Sequence, residues 1–175
     1  EFHQFGVELF GSSLPQADAE VISLAHGLFG RLGVRGLRLE INSIGCPDCR
    51  AEYTRALTAY FRKFEDKLCG DCLSRLDCKK PGCAEAAKGA PKMLDYLCDD
   101  CRAHFERVKE YLDAAGIEYT VNPTIVRGLD YYTRTVFEFV STDLGAQSTV
   151  CGGGRYDGLV EEMGGKPTPA LGLPP

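Results

Sequence analysis

The sequence predicts an α+β fold in which a sheet-forming core is split by a small, mainly helical, cysteine-rich insertion. Three observations predict it. Strand-like alternation appears near both ends of the chain, amphipathic helical stripes lie between those stretches, and eight of the nine cysteines fall between Cys46 and Cys101. Sheet segments separated by a segregated helical block favour α+β over an alternating α/β arrangement.

The elements follow in order. Phe2 to Phe10 is rich in aromatic and aliphatic residues and suits a strand, which Ser12 to Gln16 breaks. From Asp18 onward, Val21, Ile22, Leu24, Ala25, Leu28, Phe29 and Leu32 recur at helical spacing, and Gly33 is a natural stop. Leu37 to Ile41 alternates as a second strand. Character changes at Gly45, where the cysteine block begins. Inside it Tyr53, Leu57, Tyr60, Phe61 and Phe64 mark one helix, and Phe105, Val108 and Leu112 mark another that ends at Gly116. Strand signals return at Ile117, Tyr119 and Val121 and again at Val136 to Val140. Gly152-Gly153-Gly154 reads as a turn, and Leu159 to Met163 as the start of a helix. The expected organisation is a core made of 1–45 and 116–175, with the insertion at 46–115.

Composition narrows the function. Apolar residues make up 44%, enough for a packed core. The net charge of −5 argues against gripping nucleic acid by bulk electrostatics. No run approaches 18 apolar residues, so no membrane contact is expected, and no secretory leader is visible. The chain opens on Glu1-Phe2-His3-Gln4 without Met and closes on Pro174-Pro175, so both ends read as cuts in a longer protein.

The cysteines form close pairs: Cys46/Cys49, Cys69/Cys72, Cys78/Cys83 and Cys98/Cys101. Disulfides favour exported proteins. In an intracellular one, such pairs read better as thiolate ligands, since two-residue spacing lets one turn present two sulfurs to a tetrahedral zinc ion. Eight cysteines suffice for two such sites. Short loops cost less entropy to close. That favours Cys69/Cys72 with Cys78/Cys83, and Cys46/Cys49 with Cys98/Cys101 clamping the two ends of the insertion. Free buried thiols are the alternative, a redox pair a weaker one, and Cys151 reads as packing.

Two further segments carry chemistry. Arg127-Gly128-Leu129-Asp130-Tyr131-Tyr132-Thr133-Arg134 leads into a strand. It is either a surface loop or a site for an anionic small ligand, with a guanidinium fork and hydroxyls to bind it. Cys151 to Leu159 contains three glycines that let backbone approach a ligand closely, though glycine turns ahead of helices are common. Tyr132 could be a core residue, and Tyr131 is expected to be one, on the opposite side of the strand from Tyr132. His3, His26 and His104 have no partner visible in sequence and read as structural or ordinary helix residues.

Together the two segments resemble the paired histidine-specific signatures of the histidyl-tRNA synthetase family. Phe2-His3-Gln4-Phe5-Gly6-Val7-Glu8 looks like the end of that family's second class II motif. Asp18-Ala19-Glu20, Glu40 to Gly45 and Asn122-Pro123 also sit where the family would place them. The resemblance runs through essentially all 175 residues. It implies a class II synthetase-type antiparallel sheet with flanking helices. The implied reaction is ATP-dependent activation of histidine, with Mg2+, followed by transfer to tRNA(His) in a cytoplasmic homodimer. It implies that Gln4, Glu8, Tyr132 and Tyr156 contact histidine, with Gly153 and Gly154 beside them. Arg127 would face the α-phosphate and the amino-acid carboxylate. The family's first motif, the arginines of its second and third motifs and its anticodon-binding domain do not match anything here. The stretch around Leu76-Asp77 is shorter than the family's, and the 175 residues alone are expected to be inactive. Two other readings stand beside this one. One is a synthetase-like regulatory subunit that binds histidine without charging tRNA. The other is a zinc-stapled RNA-binding module using Arg50, Arg55, Arg62 and Lys79-Lys80.

Overall fold

The first strand, β1, is Val7–Phe10, shorter than its apolar run because the sheet offers it only four paired positions. The computed structural model describes residues 1, 4–67, 81–125, 131–141 and 149–174. Helix α1, Pro15–Arg31, opens with a proline in its first turn, inside the stretch expected to be a break. Proline suits that place because its missing N–H is unneeded there and its φ is already helical. The helix ends in two backbone bonds, Gly33 N–H to the Gly30 carbonyl and Val34 N–H to the Phe29 carbonyl. Gly33 sits at φ +72, and Gly116 at φ +67 closes a later helix with the same pair of bonds. Both are left-handed caps that glycine adopts without a side-chain penalty.

Strand β2 is Leu37–Ser43. Within the insertion come α2 (Pro47–Phe61) and α3 (Pro81–Ala87), followed by α4 (Asp99–Ala114). The remaining elements are β3 (Tyr119–Val121), β4 (Thr133–Ser141), β5 (Thr149–Arg155), the short α5 (Leu159–Glu162) and β6 (Ala170–Leu173).

The strands make one sheet in the order β1-β6-β5-β4-β2-β3. All neighbours are antiparallel except β2 and β3, which pair in parallel from Leu39↔Tyr119 to Ile41↔Val121. A parallel pair needs a long crossover, and the whole helical insertion supplies it. Gly152-Gly153-Gly154 is not a turn, as the glycines suggested, but the paired interior of β5. The reason is crowding. A Cβ on Gly153 would overlap the Gly172 carbonyl, and one on Gly154 would lie 2.8 Å from the Thr135 carbonyl oxygen.

The two sheet faces differ. One buries Ile41, Phe137, Phe139, Leu171 and Leu173 under α1 and α4, which contribute Val21, Ile22, Ala25, Phe105, Val108 and Leu112. Alternation sends Val7 and Leu9 to this core and leaves Glu8 and Phe10 on the opposite face. That second face carries a smaller cluster around Tyr132, Val136, Tyr156 and Ala170. Helix α4 thus begins in the cysteine block and ends in the main core.

Candidate functional site

The second face holds a cavity of about 210 Å3, walled by Glu8, Phe10, Tyr131, Tyr132, Tyr156, Leu159 and Met163 among others. That is below the ~300–1,000 Å3 of drug-sized pockets and suits a single side chain. Glu8 comes from β1, which is register-paired with β6 at Glu8↔Gly172. Glycine is required opposite it, because a Cβ on Gly172 would lie 2.6 Å from the Val7 carbonyl oxygen, besides displacing the Glu8 carboxylate. Tyr156 follows β5 directly, and its hydroxyl donates to Glu8 Oε2. Burial first, then that bond and the carboxylate's charge, push the Tyr156 phenol well above its usual range. A protonated Tyr156 donor facing an acceptor-only carboxylate gives the cavity one fixed polar wall.

Tyr131 and Tyr132 do not diverge to opposite sides. Both precede β4, so strand alternation does not govern them. Their rings pack against each other, tilted by 42° with 4.7 Å between centroids, and both line the cavity, with Tyr132 only 1% exposed. Beneath them, a Cβ on Gly154 would lie 2.9 Å from Tyr132 Cδ1, so the glycine makes room for the ring. Gln4 lies exposed ahead of β1 and does not line the cavity. Arg127 lies outside the described residues. A larger hollow of about 390 Å3 by His26, Phe29 and Glu118 includes none of the signature residues, so chemistry rather than size singles out the smaller one.

Behind the sheet lies a buried polar network that sequence reading missed. Arg155 is fully buried, and its Nη2 donates to Asp18 Oδ2 at 2.5 Å and its Nε to both carboxylate oxygens at 3.2 Å. Its Nη1 reaches Asp157 Oδ1 at 2.9 Å and the Ser12 carbonyl at 2.8 Å. His104, expected to be an ordinary helix residue, sits 3.2 Å from Asp18 Oδ2 through Nε2 and 3.3 Å from Arg134 Nη1 through Nδ1. Arginine only donates, so Nδ1 faces a donor and Nε2 faces the Asp18 carboxylate, which only accepts. Burial alone would raise the Asp18 pKa. The hydrogen bonds from His104 and Arg155 outweigh it and hold the carboxyl below its usual value. The available signal was an Asp in the first turn of a core helix and an Arg beside the glycines. Their pairing, 137 residues apart, was not visible in sequence.

The cysteine doublets at the ends of the insertion come together as expected. Sulfur atoms of Cys46, Cys49, Cys98 and Cys101 all lie within 4.8 Å of one another. Tetrahedral zinc with bonds of ~2.3 Å needs sulfur–sulfur edges of roughly 3.8 Å, so the donor set and spacing fit. Cys46 and Cys98 occupy the N-cap positions of α2 and α4, and each partner lies three residues on. Met93, Leu97 and Tyr53 sheathe the cluster, and the Cys98 N–H donates to Cys49 Sγ at 3.1 Å. Burial, then contact with the neighbouring thiols, pushes the Cys101 thiol far up. Cys83 is buried on α3, and Cys69, Cys72 and Cys78, its expected companions, lie outside the described residues. Cys151 packs against the main core.

The family model described as histidyl-tRNA synthetase matches residues 1–49 and 54–174. A histidine–tRNA ligase of Caldanaerobacter subterraneus subsp. tengcongensis is 55% identical over 181 aligned positions, which cover 99% of this chain and 43% of the relative. The crystal structure of apo Staphylococcus aureus histidyl-tRNA synthetase superposes with a TM-score of 0.75 at 40% identity, over 96% of this chain and 43% of that one. A Bacillus halodurans structure titled as an ATP phosphoribosyltransferase regulatory subunit/histidyl-tRNA synthetase shares the fold, with a TM-score of 0.61 at 24% identity. The chain therefore spans less than half the length of the curated relatives it matches.

Proposed function

This chain belongs to the histidyl-tRNA synthetase family, and from that premise we propose that the whole protein activates histidine with ATP and transfers it to tRNA(His). The observation that carries this reading is the convergence of Glu8, Tyr132 and Tyr156 on one side-chain-sized cavity. An imidazole offers an N–H to an acceptor-only carboxylate and a second nitrogen to a hydroxyl. A hydrocarbon side chain would leave the Glu8 carboxylate with only its Tyr156 donor, and the missing ligand bond is the basis of selectivity.

In this reading Glu8 accepts from the imidazole, with Tyr156 fixing the carboxylate's orientation and Tyr132 closing the wall. Tyr131 is added to that wall by its position. Gln4, ahead of β1 and outside the cavity wall, is kept as a histidine contact on the family resemblance alone. Gly153 lets β6, which lies beside Glu8, approach β5, and Gly154 makes room for the Tyr132 ring. Arg127 binds the amino-acid carboxylate and the α-phosphate, meeting the charge that builds between them. ATP, with Mg2+ on its phosphates, is the co-substrate, and a homodimer in the cytoplasm is the expected working form. The core is assigned to 1–45 and 116–175 and the insertion to 46–115, with the inner face of α4 shared between them. The four gathered sulfurs are read as a structural zinc site, because all four corners are filled by protein. No described helix is long and apolar enough to cross a membrane.

Histidine-dependent exchange of pyrophosphate into ATP by the full-length protein tests the reading. Exchange with histidine and not with other amino acids is expected. A protein that binds histidine yet neither exchanges nor charges tRNA would instead be the regulatory subunit.

A further inference from the structure

The four-sulfur cluster and the tyrosine cavity are joined by three direct bonds. Arg50, the residue after Cys49, donates from Nη1 to the Tyr132 carbonyl at 3.1 Å. Gly45, the residue before Cys46, accepts from the Arg134 N–H at 2.8 Å, and the Ile44 N–H donates to the Arg134 carbonyl at 2.8 Å. The first sulfur doublet is therefore flanked on both sides by residues that hold the backbone of residues 132–134.

That backbone needs holding. Arg134 has φ +52, the only non-glycine at positive φ among the described residues, and it lies in the irregularity between Thr133 and Val136. A side-chain-bearing residue stays in that region only when its surroundings over-determine it. Gly45, its bonding partner, is also left-handed at φ +64. A Cβ there would meet Cys49 Cβ at 2.6 Å and Met93 Cε at 2.7 Å. The two left-handed residues lock to each other, and one of them is packed against the sulfur cluster.

We propose that Cys46, Cys49, Cys98 and Cys101 hold one zinc ion that acts as a positioning centre for the Tyr131–Tyr132 wall of the cavity. Soft thiolates in a tetrahedral set select zinc or iron, and a closed site with no open corner suits a structural zinc. The N-termini of α2 and α4 both point at the cluster, and their partial positive charge favours the net negative charge of a four-thiolate zinc centre. With the ion bound, the Cys46–Cys49 knuckle is rigid, and Arg50 and Gly45 carry that rigidity to Tyr132 and Arg134. Without it, packing and the bond from the Cys98 N–H to Cys49 Sγ hold the knuckle. Arg50 is in this sense a positioning residue, acting on Tyr132 without touching ligand. The structural part stands without the histidine reading; only its effect on the Michaelis constant rests on that reading.

The test uses the full-length protein purified without chelator. One equivalent of zinc bound at these four cysteines is expected, and cobalt(II) substitution should produce the intense visible bands of tetrahedral sulfur coordination. Hydrogen exchange needs no substrate, so it separates failure of this proposal from failure of the histidine reading. Stripping the metal should speed exchange of the Ile44 and Arg134 amides by several-fold to about tenfold, the scale of losing one or two hydrogen bonds. Exchange at the β5–β6 pairing should be unchanged. The KM for histidine should rise several-fold while that for ATP holds. Should stripping unfold the protein, Arg50→Ala decides: it should keep the metal and the cobalt spectrum yet quicken exchange at Arg134 and raise the histidine KM, with Arg50→Lys restoring part of both. Absence of stoichiometric metal at these cysteines, iron in its place, or faster exchange confined to 46–67 and 93–101 would each overturn the proposal.

Discussion

Glu8 and Asp18 are both carboxylates, and their surroundings give them different work. Glu8 stands at an exposed cavity rim with one tyrosine donor, free to accept from a ligand. Glu8→Gln is expected to cut kcat/KM for histidine activation about 10- to 100-fold, as a hydrogen bond to a charged group is typically worth ~1.5–3 kcal/mol. Pyrophosphate exchange measures it, and an unchanged rate removes Glu8 from the site. Arg127→Lys is expected to lower kcat by ~100-fold or more with little change in KM, since a point ammonium cannot reproduce a bidentate fork. A loss confined to KM would make Arg127 a binding residue alone. Asp18 is wholly enclosed, and Asp18→Asn leaves Arg155 buried against a neutral partner. Breaking a buried pair in this way costs ~3–5 kcal/mol, which urea unfolding would register. A cost under about 1 kcal/mol would show that His104, Asp157 and the backbone carbonyls hold Arg155 without it.

At the scale of elements, the glycines of β5 do their work by being absent as side chains. Gly154→Ala places a methyl 2.8 Å from the Thr135 carbonyl oxygen and 2.9 Å from Tyr132 Cδ1. Overpacking of this kind costs ~1–3 kcal/mol. Because the intruded neighbour is a cavity tyrosine, the histidine KM is expected to rise along with the loss of stability. Thermal unfolding and KM measured on one preparation would check both. A stability loss with unchanged KM would mean that the Tyr132 ring keeps its place. Helix α4 shows a second lesson at this scale. Its first turn supplies two cluster sulfurs, its middle the His104 link to Asp18, and its end the core residues Val108 and Leu112. One rigid rod ties the insertion, the polar network and the core together.

For the whole molecule, acid should be destabilising. Asp18 and Glu40 both have folded pKa values held below their ordinary ones. For each, burial is the largest influence and opposes ionisation. It is outweighed by hydrogen bonds, from His104 and Arg155 to Asp18 and from Asn122 and Arg38 to Glu40. A depressed folded value means the stabilisation is fully present above the unfolded carboxylate range near pH ~4 and is lost as pH falls through the folded values. Unfolding free energy is therefore expected to hold flat from neutrality to about pH 5 and to drop below pH ~4. Asp18→Asn should flatten that drop. A variant that keeps the full acid slope would place the linkage elsewhere.

The sequence by itself determined the elements that depend on neighbours along the chain. The apolar stripes of α1 and α4, the glycine stops at Gly33 and Gly116 and the alternation in β1, β2 and β4 are local patterns with a local cause. The doublets Cys46/Cys49 and Cys98/Cys101 were legible for the same reason, since each is a single helical turn. Tertiary structure alone decided what depends on contacts far apart in sequence. It turned three glycines from a turn into a strand, because the space beside them is taken by Gly172 and Tyr132. It brought Tyr131 to the same wall as Tyr132, and it joined Asp18 to His104 and Arg155. It also bound the Cys46–Cys49 knuckle to the residues that end in Arg134. A buried polar group can be satisfied by any partner the fold brings near, so composition and spacing name the candidates and only packing selects the pair.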